Sequence, residues 1–152
     1  MTTPTPKGPI VVGYDGRDES SRALAQAIHE AESRGAPILV LVVAGMPTQS
    51  LDPFNAGVID PGMYAPIPPE GPLEIRPIMK AAAAQLDEAG ADGEVEWALG
   101  DPTAEILRIA DERDAVAIVV GTHHHSALGR LLGTDVAADL VRAAGCEVLV
   151  VP

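Results

Sequence analysis

The chain has 152 residues, 47% of them hydrophobic but only 3% aromatic, so one domain with an aliphatic core of Ala, Val, Leu and Ile is expected. Its formal charge of -12 at pH 7 repels nucleic-acid backbones and anionic lipid, leaving a small ligand or another protein as the expected partner. Cys146 is the single cysteine, which excludes an intramolecular disulfide or a Cys-built zinc site, and no apolar run approaches the roughly 18 to 20 residues of a membrane helix.

Residues 1–8, rich in Pro and Thr, read as a mobile tail without the apolar stretch of an export signal, so the expected compartment is the cytoplasm. Pro9 to Tyr14 is a short apolar run broken by Gly13, the pattern of a buried parallel strand. Asp18 stands where an N-cap belongs, and Ala23, Leu24, Ala27, Ile28 and Ala31 recur at helical spacing up to Gly35. Pro37 to Val43 is apolar on both parities, as in a central strand covered on both sides. Residues 44–72 hold most of the prolines, show no sustained period and read as a long loop.

Ile75, Ile78, Met79, Ala82, Leu86 and Ala89 restore the helical period before Gly90. Glu94 to Leu99 alternates polar and apolar residues, which predicts a strand near a sheet edge. Gly100-Asp101-Pro102 supplies a turn, an N-cap and a first-turn proline for a third helix. Ala115 to Val120 reads as a fourth strand, Val136 to Ala144 as a fourth helix ending at Gly145, and Cys146 to Val151 as a fifth strand. Strands and helices alternate from end to end, which predicts an α/β fold: a five-stranded, mostly parallel sheet with helices on both faces. Ligands of such sheets lie beyond the carboxyl ends of the strands, at the topological switch point, so the residues after the first and fourth strands are the first candidates.

The segment after the fourth strand runs Gly121-Thr122-His123-His124-His125-Ser126-Ala127-Leu128-Gly129-Arg130-Leu131-Leu132-Gly133-Thr134 and leads into a helix. Glycines let backbone N–H groups turn toward an anion, and Thr134 brings a hydroxyl to the helix start, where it also serves as the expected N-cap. The segment resembles the G-x2-G-x9-G-[S/T] nucleotide loop of the universal stress protein family, whose fold is adenine-nucleotide-alpha-hydrolase-like. Val11-Val12-Gly13-Tyr14-Asp15-Gly16, Gly100 to Leu107, and Cys146 to Val151 resemble other segments of the same family. The resemblance covers the chain apart from the tail and the 44–72 loop.

The resemblance implies a binding site for ATP, with Mg2+, built from Gly13, Tyr14, Asp15, Val42, Gly121, Thr122, His123, His124, Gly133, Thr134, Asp135 and Val136. Asp15 would contact the adenosine, Val42 the adenine, and the loop with Thr134 the phosphates. It also implies a homodimer paired through the strand at 146–151. Two departures mark the loop as a variant: His124 stands where the second glycine is expected, and the run from His124 to Gly133 is one residue short.

Other chemistry has less to stand on. Adjacent histidines in a loop point different ways, and no Asp or Glu lies close in sequence, so His123-His124-His125 is read as phosphate-contacting, with help from Arg130, and not as a metal site. Ser126 lacks the base and acid partners of a hydrolase triad, Cys146 reads as a small core residue, and Trp97 as packing. The expected function is a nucleotide-binding, dimeric stress or signalling protein without efficient catalysis. The alternative is an interaction module of the same fold that binds no nucleotide; a flavin or electron-transfer module has only topology behind it.

Overall fold

The computed structural model describes residues 8–45, 67–122 and 135–152. Within them run β1 (Ile10–Gly13), α1 (Asp18–Arg34), β2 (Ile38–Ala44), a 3-10 turn (Leu73–Ile75), α2 (Arg76–Ala89), β3 (Gly93–Leu99), α3 (Pro102–Glu112), β4 (Ala117–Gly121), α4 (Val136–Ala143) and β5 (Glu147–Val151). The strands form one parallel sheet in the order β3-β2-β1-β4-β5. The chain's first strand is therefore central, and the order reverses between β1 and β4.

Strand parity divides the core in two. Ile10, Val12, Tyr14, Ile38, Val40, Val42, Ala117 and Val119 face α1 and α2, whereas Val11, Leu39, Leu41, Ile118 and Val120 face α3 and α4. Full burial of such a side chain contributes about 1.5–3 kcal/mol, so the central strands, apolar on both faces, carry most of the driving force. β3 and β5, at the edges, are only half covered.

The helix stops follow the sequence reading. Gly35 and Gly90 take left-handed backbone, φ 63 and 62, beyond the ends of α1 and α2. Asp101 caps α3 by accepting the Ala104 N–H at 2.9 Å, with Pro102 in the first turn.

Several boundaries differ. Asp18 is not the N-cap of α1: Arg17 holds that place without a side-chain cap bond, and Asp18 is the first helical residue. The cap of α4 is Asp135, which accepts the Ala138 N–H at 3.1 Å, and not Thr134, which lies outside the described residues. β4 begins at Ala117, β5 at Glu147, and a 3-10 turn precedes α2. Gly8, counted above with the tail, is buried against the backbone of Arg113 and Asp114, and Ala44 belongs to β2. Cys146 is half-buried beside the α3/α4 core, and burial, followed by the charge of Glu147, holds its thiol above the ordinary value, as suits a packing residue.

Two contacts tie α1 to β5. Arg22 Nε donates to Pro152 O at 2.9 Å, and Arg34 Nη2 lies 3.1 Å from Glu147 Oε1, so the helix holds both ends of the edge strand. A reciprocal pair, Ser21 Oγ to Gln85 Oε1 at 2.9 Å and Gln85 Nε2 to Ser21 O at 2.8 Å, joins α1 to α2.

Candidate functional site

The switch point brings the carboxyl ends of β1 and β4 side by side, with Val12 opposite Val119 in the register. Gly13, Tyr14 and Asp15 leave β1 there, and Gly121 and Thr122 leave β4. On the other side of β1, the Tyr14 N–H bonds Leu41 O at 3.1 Å, which sets Val42 alongside Tyr14. Six of the twelve expected site residues thus sit on three neighbouring strand ends. Asp135 and Val136 open α4, beside the start of α3, where Asp101, Pro102, Thr103, Val136 and Asp139 line a shallow groove. His123, His124, Gly133 and Thr134 lie outside the described residues, as do His125, Ser126 and Arg130.

Asp15 forms a local turn. Its Oδ1 accepts the Arg17 N–H at 3.0 Å, Oδ2 lies 3.6 Å from Arg17 Nε, and its own N–H reaches Ser20 Oγ at 3.3 Å. The Ser20 hydroxyl in turn donates to Arg17 O at 2.9 Å. The turn thereby holds the N–H of Arg17, the residue before α1, while no side chain caps the helix itself. Sequence reasoning missed Ser20, although the signal was present: it is the one polar residue on the buried stripe of α1, only 1% exposed.

The two strand-end glycines are explained by packing on opposite faces. A Cβ on Gly13 would lie 2.9 Å from Ile106 Cδ1, so its absence admits α3. A Cβ on Gly121 would lie 2.6 Å from the carbonyl carbon of Glu19 and 2.7 Å from its oxygen, so its absence admits the first turn of α1. Val42 is 1% exposed and packs toward α1 and α2, so only its backbone borders the open end of the sheet. Tyr14 is also buried; burial first, and the Asp15 charge second, hold its phenol above the ordinary value. The Thr122 N–H is committed to Val151 O at 2.9 Å, while its hydroxyl makes no hydrogen bond among the described residues.

Parallel strands with right-handed crossovers aim the N-termini of α1, α3 and α4 at this end of the sheet, and their dipoles favour an anion there. The side chains work the other way: Asp15, Asp18, Glu19, Asp101, Glu105, Asp135 and Asp139 stand in or before the first turns, with Arg17 beside Asp15 as a nearby cation. An anionic ligand at this end of the sheet would need a counter-charge. Among the described residues no cluster of three or more His, Cys, Asp or Glu could hold a metal ion. No helix among the described residues is long and apolar enough to cross a membrane.

Comparison with known proteins gives the arrangement a lineage. The universal stress protein family model matches residues 8–152. Universal stress protein YxiE of Bacillus subtilis (strain 168) is 29% identical over 143 residues, covering 93% of this chain and 97% of its own. Universal stress protein Rv1636 of Mycobacterium tuberculosis (strain ATCC 25618 / H37Rv) is 33% identical over 144 residues, covering 93% and 94%. Among solved structures, a universal stress protein in complex with cAMP has a TM-score of 0.69 at 28% identity, covering 95% of this chain and 96% of that one. The universal stress protein from Archaeoglobus fulgidus in complex with dAMP has a TM-score of 0.63 at 28% identity, covering 95% and 98%. With the family model matching residues 8–152 and a relative 33% identical over 93% of the chain, the chain belongs to the universal stress protein family.

Proposed function

We propose that the protein binds an adenine nucleotide, ATP with Mg2+, at the carboxyl ends of β1 and β4, and works as a homodimeric stress-response or signalling protein without efficient catalysis. The observation that carries the reading is the pairing of β1 with β4 at the switch point, with Asp15 and the Thr122 hydroxyl on adjacent strand ends and the α4 N-terminus facing the same side. Support comes also from the two 28%-identical structures described as complexes with cAMP and dAMP. A bound divalent ion would offset phosphate charge in this acidic surround. The chain's own groups then orient the nucleotide: Asp15 through the sugar and Thr122 through its hydroxyl. Neither is assigned proton transfer, and binding without efficient catalysis is the function proposed.

Calorimetric titration with Mg-ATP tests this. Saturable heat is expected, and Asp15→Asn, which retains an acceptor for the Arg17 N–H but not the charge, should weaken binding by about ten- to a hundredfold, the loss of one charged hydrogen bond. No heat at millimolar nucleotide would sink the reading. The second reading, an interaction module without nucleotide, is favoured by the seven carboxylates at the helix starts and by the buried side chain of Val42. Saturable binding weakened by Asp15→Asn would exclude it.

A further inference from the structure

Trp97 projects from edge strand β3 and is clasped by a turn 28 residues away in sequence. Its Nε1–H donates to Pro69 O at 3.0 Å. The turn is closed by Gly71 N–H to Pro68 O at 2.8 Å, and Gly71, at φ 85, lies so close to the indole that a Cβ would meet three ring atoms at 3.1 Å. Arg76 Nε donates to Gly71 O at 3.0 Å, and Ile75 N–H bonds Pro72 O at 3.2 Å, joining the turn rigidly to the start of α2.

The same stretch reaches the candidate site at its other end. Ile78, in the first turn of α2, places Cγ1 and Cγ2 at 3.4 and 3.5 Å from where a Cβ on Gly16 would stand. Gly16 takes φ 83 inside the turn that Asp15 and Arg17 form. Between the two contacts lies Ile75, 6% exposed in the α1/α2 core, a fixed point with Gly71 on one side and Ile78 on the other.

We infer that the first turn of α2 is a lever pivoting on Ile75, which joins the Asp15–Arg17 turn to the Trp97 clasp, so that displacement of the backbone at Gly16 opens the Pro68–Gly71 turn. The clasp has two discrete states, Trp97 N–H bonded to Pro69 O or released to water. A single neutral hydrogen bond at an exposed site is weak enough for a small movement to change its population. Whatever shifts the turn after β1 is thereby registered at the far edge of the sheet, whichever ligand the site takes.

Trp97 is the only tryptophan, so its emission reports the clasp alone. Gly71→Ala, strained at φ 85 and crowding the indole at 3.1 Å, provides the open reference: red-shifted emission and steeper acrylamide quenching. Gly16→Ala, strained at φ 83 and with its Cβ in van der Waals contact with Ile78, should shift the turn and move both readings toward that reference while far-UV circular dichroism stays native. Gly35→Ala, equally left-handed but with nothing within 4 Å, controls for general destabilisation and should leave Trp97 as in the wild type. In an Ile78→Ala background the Gly16→Ala effect should vanish, since the contact that transmits it is gone. The lever is overturned if Gly16→Ala leaves Trp97 unchanged, if Gly35→Ala moves it equally, or if the effect survives in the Ile78→Ala background.

Discussion

Gly13 and Gly121 end neighbouring strands, and neither needs left-handed backbone, yet the costs of filling them differ. At Gly13 the obstacle is the end of the Ile106 side chain, which can rotate; at Gly121 it is the backbone of Glu19, which moves only with α1. Gly121→Ala should therefore lower stability by about 1–3 kcal/mol, the range for forced overpacking, and Gly13→Ala by less. Urea unfolding of the two variants measures the difference, and equal losses would contradict it. This role was not legible in the sequence, where Gly121 read as a loop glycine, because it depends on how closely a helix approaches. Asp15 was legible as a candidate from its place after a strand; the part that Arg17 and Ser20 take in its turn was not, because it depends on a helix side chain reaching back to the turn.

At the scale of elements, α3 is defined by its entrance. Asp101 is exposed, and its contribution is the bond to the Ala104 N–H. Asp101→Ala should cost about 1 kcal/mol and Asp101→Asn much less, as read from the denaturation midpoint; equal losses would mean that charge and not capping matters there. Elements punctuated within a few residues, such as α3 by Asp101-Pro102 and α1 and α2 by Gly35 and Gly90, could be read from the chain. What could not be read was set by distant partners. Nothing near Trp97 foretells Pro69, and the helical period of α1 does not say that its face will bury β4.

For the whole molecule, the two sheet edges differ. β3 carries Glu94 and Glu96, the latter 2.7 Å from Arg113, and has its tryptophan clasped, whereas β5 presents Val148, Leu149, Val150 and Val151. With Val150 37% exposed and Val141 on α4 58% exposed, the β5 side is the edge suited to pairing with a second copy. Light scattering should give about twice the 15.7 kDa chain mass, and Val150→Lys, which disturbs little in the protomer, should return it to one. A wild-type mass of one chain at micromolar concentration would exclude the dimer.

The grip of α1 on β5 bears on how the chain is made. The contacts of Arg22 and Arg34 with Pro152 and Glu147 span 130 and 113 residues, and β1, synthesised early, must wait for β4 on its open side. During translation β1, β2 and β3 can pair as one wing, but α1 would keep part of its apolar face uncovered until residues 117–121 emerge. Completion of the sheet is therefore a late event, slowed by closing long loops and exposed meanwhile to chaperones and to aggregation. The arrangement that makes the first strand central thus leaves the nascent chain vulnerable for most of its synthesis.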